Sequence, residues 1–384
     1  MKITNIDWAP NVPDNWEIVR LKDIAKLQSG EGITSNEIDE VGAYPVYGGN
    51  GLRGYTNTYT NDGNYVLIGR QGALCGNINY AKGKFYASEH AVVVYTHDKQ
   101  ENSTWLGETM RMANFNRLSA SAAQPGLAVS TLNFQKIPYP PKDTRRRIGL
   151  YLDVKLATID ERIIVFEKLK DAYMRLKKSI IHRAVTQGLN PDVEMKESGV
   201  DWIGMIPKHW EIRLLKNMMT IHNGRDYKHI EVDDPEEGYP VIGSGGPFAF
   251  AKEKMYSGEA LLLGRKGTID KPLYWHGSFW TVDTMFYAKP SNLANCKYMY
   301  YLSLNFPFRK IGTQTALPSM TQTALNCLEV SCPPLTEQQT IADYLDEKTA
   351  KIDAVVSNLD QQIEKYKLLK RALINEVVTG QRAV

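Results

Sequence analysis

Residues 148–185 read IGLYLDVKLATIDERIIVFEKLKDAYMRLKKSIIHRAV, with no proline and no glycine beyond Gly149. Leu152, Ile159, Phe166, Tyr173 and Ile180 recur at every seventh position, and Leu156, Ile163, Leu169 and Leu176 fill flanking positions. An apolar repeat of this period predicts one long helix with a coiled-coil seam, because a 3.5-residue spacing keeps one narrow face turned to a partner. Residues 338–380, QQTIADYLDEKTAKIDAVVSNLDQQIEKYKLLKRALINEVVTG, carry the same register at Leu345, Ile352, Leu359, Tyr366 and Leu373. Each stands 193 residues after its counterpart (345 − 152), as do Tyr344 after Tyr151, Asp346 after Asp153, Lys348 after Lys155 and Asp353 after Asp160. The helix occurs twice.

The repeat extends over the whole chain. Asp7, Trp8, Pro13, Trp16, Glu17 and Ile18 return as Asp201, Trp202, Pro207, Trp210, Glu211 and Ile212. Tyr44-Pro45-Val46 returns as Tyr239-Pro240-Val241, Gly69-Arg70-Gln71-Gly72 as Gly264-Arg265-Lys266-Gly267, and Pro140-Pro141 as Pro333-Pro334. Between these markers lie short β-rich runs (65–68, 85–95, 261–263, 279–287) broken by Gly, Asn, Asp and Pro, with shorter helical patches at 104–116 and 296–304. The expected fold class is α+β: two tandem mixed α/β globules separated by two long helices that form an antiparallel coiled coil with pseudo-two-fold symmetry. The expected boundaries are a first globule at 1–146, a helix at 147–187, a linker at 188–207, a second globule at 208–337 and a helix at 338–380. The Pro-Pro pairs stop the strand before each helix, and Gly188 ends the first helix.

A chain of 384 residues with 43% apolar composition has ample material for two cores. The longest apolar runs are far too short to span a bilayer, and the N-terminus lacks the apolar core of a signal peptide, so a cytoplasmic location is expected. Cys75, Cys296, Cys327 and Cys332 include no CxxC pair and read as buried free thiols. Net charge is only +3, but the helices differ: 145–186 holds 11 Lys/Arg against 5 Asp/Glu, and 338–380 holds 6 against 7. The basic first helix suits either a polyanionic partner or a solvated face.

Catalytic constellations are missing from the sequence. No GxxxxGK[ST] occurs, nor an NPPY or DPPY tetrapeptide, nor a Gly-rich loop in a βαβ setting. Asp192, Glu194 and Lys196 imitate a nuclease triad, but they fall in the expected linker without a strand to align two carboxylates on a metal. Glu89-His90 in the first copy becomes Asp283-Thr284 in the second, which discards the histidine. Features shared by both copies serve shared tasks, and features that differ distinguish the globules. The shared Gly-Arg-x-Gly fits close backbone approach to a phosphate, with Arg70 or Arg265 adding a charge-assisted contact; it also fits a plain tight turn. Arg53, Gln71, His90 and Gln124 in the first copy, and Ser244, Lys266, Asp283 and Gln314 in the second, are of types that pair with base edges, and equally of types found in any solvated loop.

Taken together, Gly188-Leu189-Asn190-Pro191, Asp201-Trp202-Ile203-Gly204, Ile206-Pro207-x-His209-Trp210-Glu211, Pro333-Pro334-Leu335-Thr336-Glu337-Gln338, Ile341-Ala342-x-Tyr344-Leu345-Asp346 and Asn375-Glu376-Val377-Val378-Thr379-Gly380 resemble the specificity (S) subunit of type I restriction–modification systems over the full chain. The resemblance implies that each globule is a target recognition domain for double-stranded DNA. It implies that two modification subunits dock on the frame with S-adenosylmethionine, and that restriction subunits add ATP- and Mg-dependent cleavage. No cofactor or metal, no catalytic residue and no membrane contact is expected of this chain. The first copy departs from the motif, with Asp143-Thr144-Arg145-Arg146-Arg147 where the second has Thr336-Glu337-Gln338-Gln339-Thr340. A methyltransferase or nuclease with an unrecognised site is the alternative. A rod of roughly 50 Å, set against about 34–36 Å per duplex turn, implies two half-sites about one turn apart with a fixed unread gap.

Overall fold

The computed structural model describes residues 1–72, 74–119, 125–313 and 316–384. Its two longest elements are the helices Lys142–Gln187 and Leu335–Val378. Contacts divide the chain into two compact units, Met1–Glu167 with Asp360–Val384, and Lys168–Leu359, so each unit holds part of both helices. Both helices start earlier than the heptad pattern predicts, immediately after a Pro-Pro pair. The carbonyls of Pro141 and Pro334 accept the first helical bonds, from Arg145 N–H (3.0 Å) and Gln338 N–H (3.0 Å). The first turns are polar, so apolar periodicity does not register them.

The seam also differs in detail. Leu169 and Leu176 are exposed at 42% and 47%, and Lys170 and Lys177 occupy the half-buried positions instead. The buried face advances by alternating steps of four and three through Leu152, Leu156, Ile159, Ile163, Phe166, Lys170, Tyr173, Lys177, Ile180 and Ala184. That is a strict heptad face, which passes through the lysines rather than the neighbouring leucines. Lysine tolerates such a place because its stem lies along apolar surface while its ammonium reaches outward. In the first unit, Asp160 receives Lys370 Nζ at 2.6 Å, Arg162 donates to the Tyr366 hydroxyl at 2.9 Å, and the Phe166 and Tyr366 rings lie 5.6 Å apart. Partner numbers fall as residue numbers rise, so the pairing is antiparallel. In the second unit Lys177 meets Asp353 at 2.7 Å, while Ile181 and Val185 share a core with Ile341 and Leu345, in the same sense.

Each unit repeats one order of elements. In the first, Glu17–Arg20 pairs with Lys136–Tyr139; in the second, Glu211–Leu214 pairs with Glu329–Cys332. The run 85–95 is two strands, Lys84–Ala87 and Ala91–Thr96, divided by a turn, and 279–287 divides likewise between Leu273–Thr281 and Met285–Pro290. The first unit has two four-stranded sheets, whereas the second has one sheet of seven strands. Their difference lies in one pair of strands: Tyr256–Gly264 is continuous, whereas its equivalent is divided into Asn61–Asp62 and Tyr65–Gly69. Leu273–Thr281 runs unbroken through Gly277, pairing antiparallel with Tyr256–Gly264 and parallel with Tyr239–Gly243, while its equivalent is cut into Ile78–Ala81 and Lys84–Ala87 on either side of Lys82-Gly83.

The expected linker 188–207 contains a hairpin, Met195–Glu197 against Met205–Pro207, matching Lys2–Ile3 against Asn11–Val12. Period-two signals of two or three residues are too short to read from sequence. Glu194 is engaged by Lys208 at 2.7 Å, and no group of three or more His, Cys, Asp or Glu among the described residues is placed to hold a metal ion. No described helix is long and apolar enough to cross a membrane. The four cysteines are free; Cys75 and Cys296 are buried, but Cys332 is half-buried and Cys327, at the end of the short helix Gln322–Asn326, is exposed.

The motif departure at Arg145 is internal. Arg145 is buried, its Nε 2.9 Å from Glu101 Oε2, its guanidinium 3.9 Å from the Tyr139 ring centroid and its Nη1 donating to the Pro140 carbonyl at 2.6 Å. In the second unit Gln338 donates to the Pro333 carbonyl (2.9 Å) and accepts from Asn295 N–H (2.8 Å). In the first, the corresponding Asn102 N–H donates to Glu101 (3.3 Å). Arg145 with Glu101 therefore does what Gln338 does beside Ala294. Arg145→Gln alone should destabilise the first unit by about 3–5 kcal/mol, because a buried carboxylate loses its partner. Arg145→Gln with Glu101→Ala should recover most of that loss, measured by denaturant unfolding of both variants. Equal damage in the single and double variants would show that the pair is not coupled.

Candidate nucleic-acid interface

The Gly-Arg-x-Gly turns leave the strands Tyr65–Gly69 and Tyr256–Gly264 and are tied down by the same three backbone bonds in both units. Arg70 N–H donates to the His90 carbonyl (2.8 Å), Gly72 N–H to Pro125 (3.0 Å), and Leu127 N–H to the Arg70 carbonyl (2.9 Å). Arg265 N–H donates to Thr284 (2.8 Å), Gly267 N–H to Pro318 (2.8 Å), and Met320 N–H to Arg265 (2.8 Å). This turn is a clasp on which two other loops converge. One is a tight turn closed by Ala91 N–H on Ser88 (2.9 Å), or Met285 N–H on Val282 (3.0 Å), whose central residues are Glu89-His90 and Asp283-Thr284. The other contains the segment before the short helices Val129–Asn133 and Gln322–Asn326.

Two more loops complete each cluster. The hairpin turns between Gly48 and Gly51 and between Gly243 and Gly246 approach it. At Gly49 a Cβ would stand 2.6 Å from the Gln71 carbonyl oxygen, so only glycine permits that contact. In the second unit the Ile242 carbonyl accepts from the Thr281 hydroxyl at 2.9 Å, anchoring its hairpin. The fifth loop is Gly30-Glu31, bonded to the carbonyls of Ala91 and Ala87 at 2.9 Å each, matched by Gly224-Arg225 on Met285 (3.0 Å) and Thr281 (2.9 Å).

Arg70, Gln71 and His90 are thus brought together in the first unit, and Arg265, Lys266 and Asp283 in the second. Gln71, Lys266, Asp283 and Arg53 are exposed, and Arg70, Arg265, His90 and Ser244 half-buried. Arg265 is held more firmly, donating from Nη1 to the Asp283 carbonyl (3.3 Å) with its guanidinium 5.7 Å from the Phe286 ring centroid. Arg53 lies across Gly48, where a Cβ would come 2.4 Å from its Cδ. Gln124 and Gln314 fall outside the described residues.

Sequence reading passed over Arg225, Asn50, Asn77 and Asn79, and weighed Glu89 only together with His90 as a catalytic pair. Arg225 had a signal, a glycine–arginine pair after a strand. His222 beside it stacks on Tyr287 at 4.9 Å, and burial together with the Lys289 charge lowers its pKa, so it is neutral at neutral pH and adds no cation to the cluster. Burial likewise raises the Tyr47 hydroxyl above its ordinary range, which keeps it uncharged under the Gly48 turn.

A mixed α/β globule made twice, each presenting a glycine–arginine clasp that gathers polar loops at a sheet end, defines a duplicated recognition module. The chain belongs to the type I restriction modification DNA specificity domain family, whose pattern matches residues 13–164 and 207–365. It is 39% identical over 165 residues to the type I restriction enzyme EcoprrI specificity subunit of Escherichia coli, a match spanning 42% of this chain and 41% of that one. A putative type I restriction enzyme specificity subunit, S.HindORF215P of Haemophilus influenzae, is 26% identical over 350 residues, 87% of this chain and 88% of its own. The fold matches a chain from a solved structure on complex assembly and conformational transition of the type I R-M system, with TM-score 0.70 at 14% identity over 96% of this chain and 98% of that one. The S subunit of the type I system from M. genitalium gives TM-score 0.50 at 14% identity over 98% of both chains.

Proposed function

We propose that this chain is the DNA sequence-recognition subunit of a type I restriction–modification complex, each globule reading one half of an asymmetric bipartite target with a fixed gap. The long helices carry two modification subunits, through which restriction subunits join. The chain performs no catalysis itself; S-adenosylmethionine, ATP and Mg belong to the partner subunits. The observation that supports this reading most directly is the repetition of one loop clasp, bond for bond, in two units whose exposed side chains differ. A common backbone frame with divergent tips is what two readers of different sequences require. Phosphate contacts from the common frame position the duplex, and base contacts from the divergent tips specify it.

The common and divergent parts predict different behaviour. Arg70→Ala or Arg265→Ala, in the assembled complex, should weaken binding to every sequence by a similar factor and lower the slope of log affinity against log salt by about one. A changed base preference at constant slope would make the arginine a base reader instead. Replacing 14–141 with the corresponding globule of a relative should change one half of the methylated motif and leave the other intact, as sequencing of methylated host DNA would reveal. A change in both halves would show that the globules do not read independently. S-adenosylmethionine binding by the isolated chain would favour the methyltransferase alternative.

A further inference from the structure

Eight buried side-chain polar atoms among the described residues have no hydrogen-bond partner. Five are indole N–H groups, of Trp8, Trp105, Trp202, Trp210 and Trp275. The other three are Asn79 Nδ2, Glu89 Oε2 and His90 Nδ1, and all three belong to the loop end of the first globule. A buried polar atom without a partner is unfavourable, so three at one loop end call for an explanation.

Their surroundings are polar and built. Glu89 and His90 are the central residues of the turn clasped by Arg70, and His90 Nε2 lies 3.0 Å from Glu89 Oε1, so one carboxylate oxygen is engaged and the other is not. Asn79 lies beneath the neighbouring hairpin, its Oδ1 3.0 Å from where a Cβ on Gly51 would stand. At the tip of that hairpin Asn50 accepts from Asn77 Nδ2 at 3.2 Å, a bond between two exposed amides that joins two loops. The second globule has Gly245, Lys271 and Leu273 in place of Asn50, Asn77 and Asn79, so the amides are special to the first. An acid, by contrast, is kept at the turn tip as Asp283.

We infer that Glu89, oriented by His90 and flanked by Asn50, Asn77 and Asn79, is a specificity-determining residue that accepts a hydrogen bond from the exocyclic amino group of a base in the first half-site. The inference rests on the proposed DNA-reading role of this loop end. A carboxylate accepts and cannot donate, so it suits an amino group and repels phosphate. In the major groove that group is adenine N6 or cytosine N4. The amides discriminate between the two, because an Asn amide can donate to adenine N7 beside the amino group that Glu89 takes, whereas cytosine offers no acceptor there.

The test is the methylated motif of the assembled complex carrying Glu89→Gln, Asn77→Ala or Asn79→Ala, beside the unaltered complex. Glutamine keeps the size of the side chain and adds a donor. Glu89→Gln should therefore cut discrimination at one position of one half-site by about tenfold or more and admit guanine or thymine there, with the other half unchanged. If Asn77→Ala and Asn79→Ala relax the same position, the base is adenine; if only Glu89→Gln does so, it is cytosine. An unchanged motif with Glu89→Gln overturns the inference while leaving the recognition role standing. Should Glu89→Gln fail to assemble, His90→Ala serves instead, and full discrimination in that variant overturns it equally. An unaltered complex without any sequence preference would sink the recognition role itself.

Discussion

Neither globule closes with its own residues. The first core contains Ile148, Leu152 and Leu156 from one long helix and Leu373, Ile374 and Val377 from the other, and the second core combines Ile181, Ala184 and Val185 with Ile341, Ala342 and Leu345. A heptad face is too narrow to be stable in water without a partner, and an antiparallel partner brings the last turns of one helix beside the first turns of the other. The antiparallel seam therefore decides where each globule ends. Gly188 and Gly380 mark the result, with φ of +76° and +71°. A Cβ on Gly188 would meet Trp210 at 3.2 Å, and one on Gly380 would meet Pro13 at 2.5 Å. Each helix thus terminates against the Pro-x-x-Trp motif that opens a globule, the first helix on the second globule and the second on the first.

Much of this was legible because long-period signals are redundant. The five heptad positions shared by the two helices, the Pro-Pro stops and the paired Trp motifs all report one duplication. Substituting Lys for Leu at two positions did not hide it, though it did misplace Leu169 and Leu176. Short features lacked that redundancy. The hairpin Met195–Glu197 with Met205–Pro207 has three residues per strand, and only comparison with the chain's start would have exposed it. The break beside Gly83 that divides one sheet has no glycine signature, because Gly277 holds the same place with φ of +118° in the strand that stays whole.

The loop cluster was legible in its shared part and obscure in its variable part, for a physical reason. Gly-Arg-x-Gly recurs because its amides and carbonyls must reach the same neighbours in both units, and backbone demands appear in sequence as glycine. The residues beside it obey no such demand. Asn50 and Asn77 are distant in sequence and meet only through two turns, so no local pattern announces them. Glu89 was visible but overshadowed by the histidine next to it, although the copy comparison retains the acid and discards the imidazole.

The same comparison shows which positions are free to diverge. Arg145 and Glu101 lie within one copy and are replaced together by Gln338 and Ala294; Thr104 donates to Asp153 at 2.6 Å where Lys297 pairs with Asp346. A contact within a copy can change as a unit, since both partners belong to it. The reciprocal ion pairs across the seam have no such freedom. Asp160 meets Lys370 and Lys177 meets Asp353, and Asp160 corresponds to Asp353 as Lys177 does to Lys370. Changing either residue in one copy leaves its partner in the other copy unmatched, beside a seam whose geometry both cores require. Identity between the copies is therefore kept at these two reciprocal ion pairs, whose partners lie in the opposite copy. Difference is found where both partners lie in one copy, as at Arg145 with Glu101 and at the loop tips.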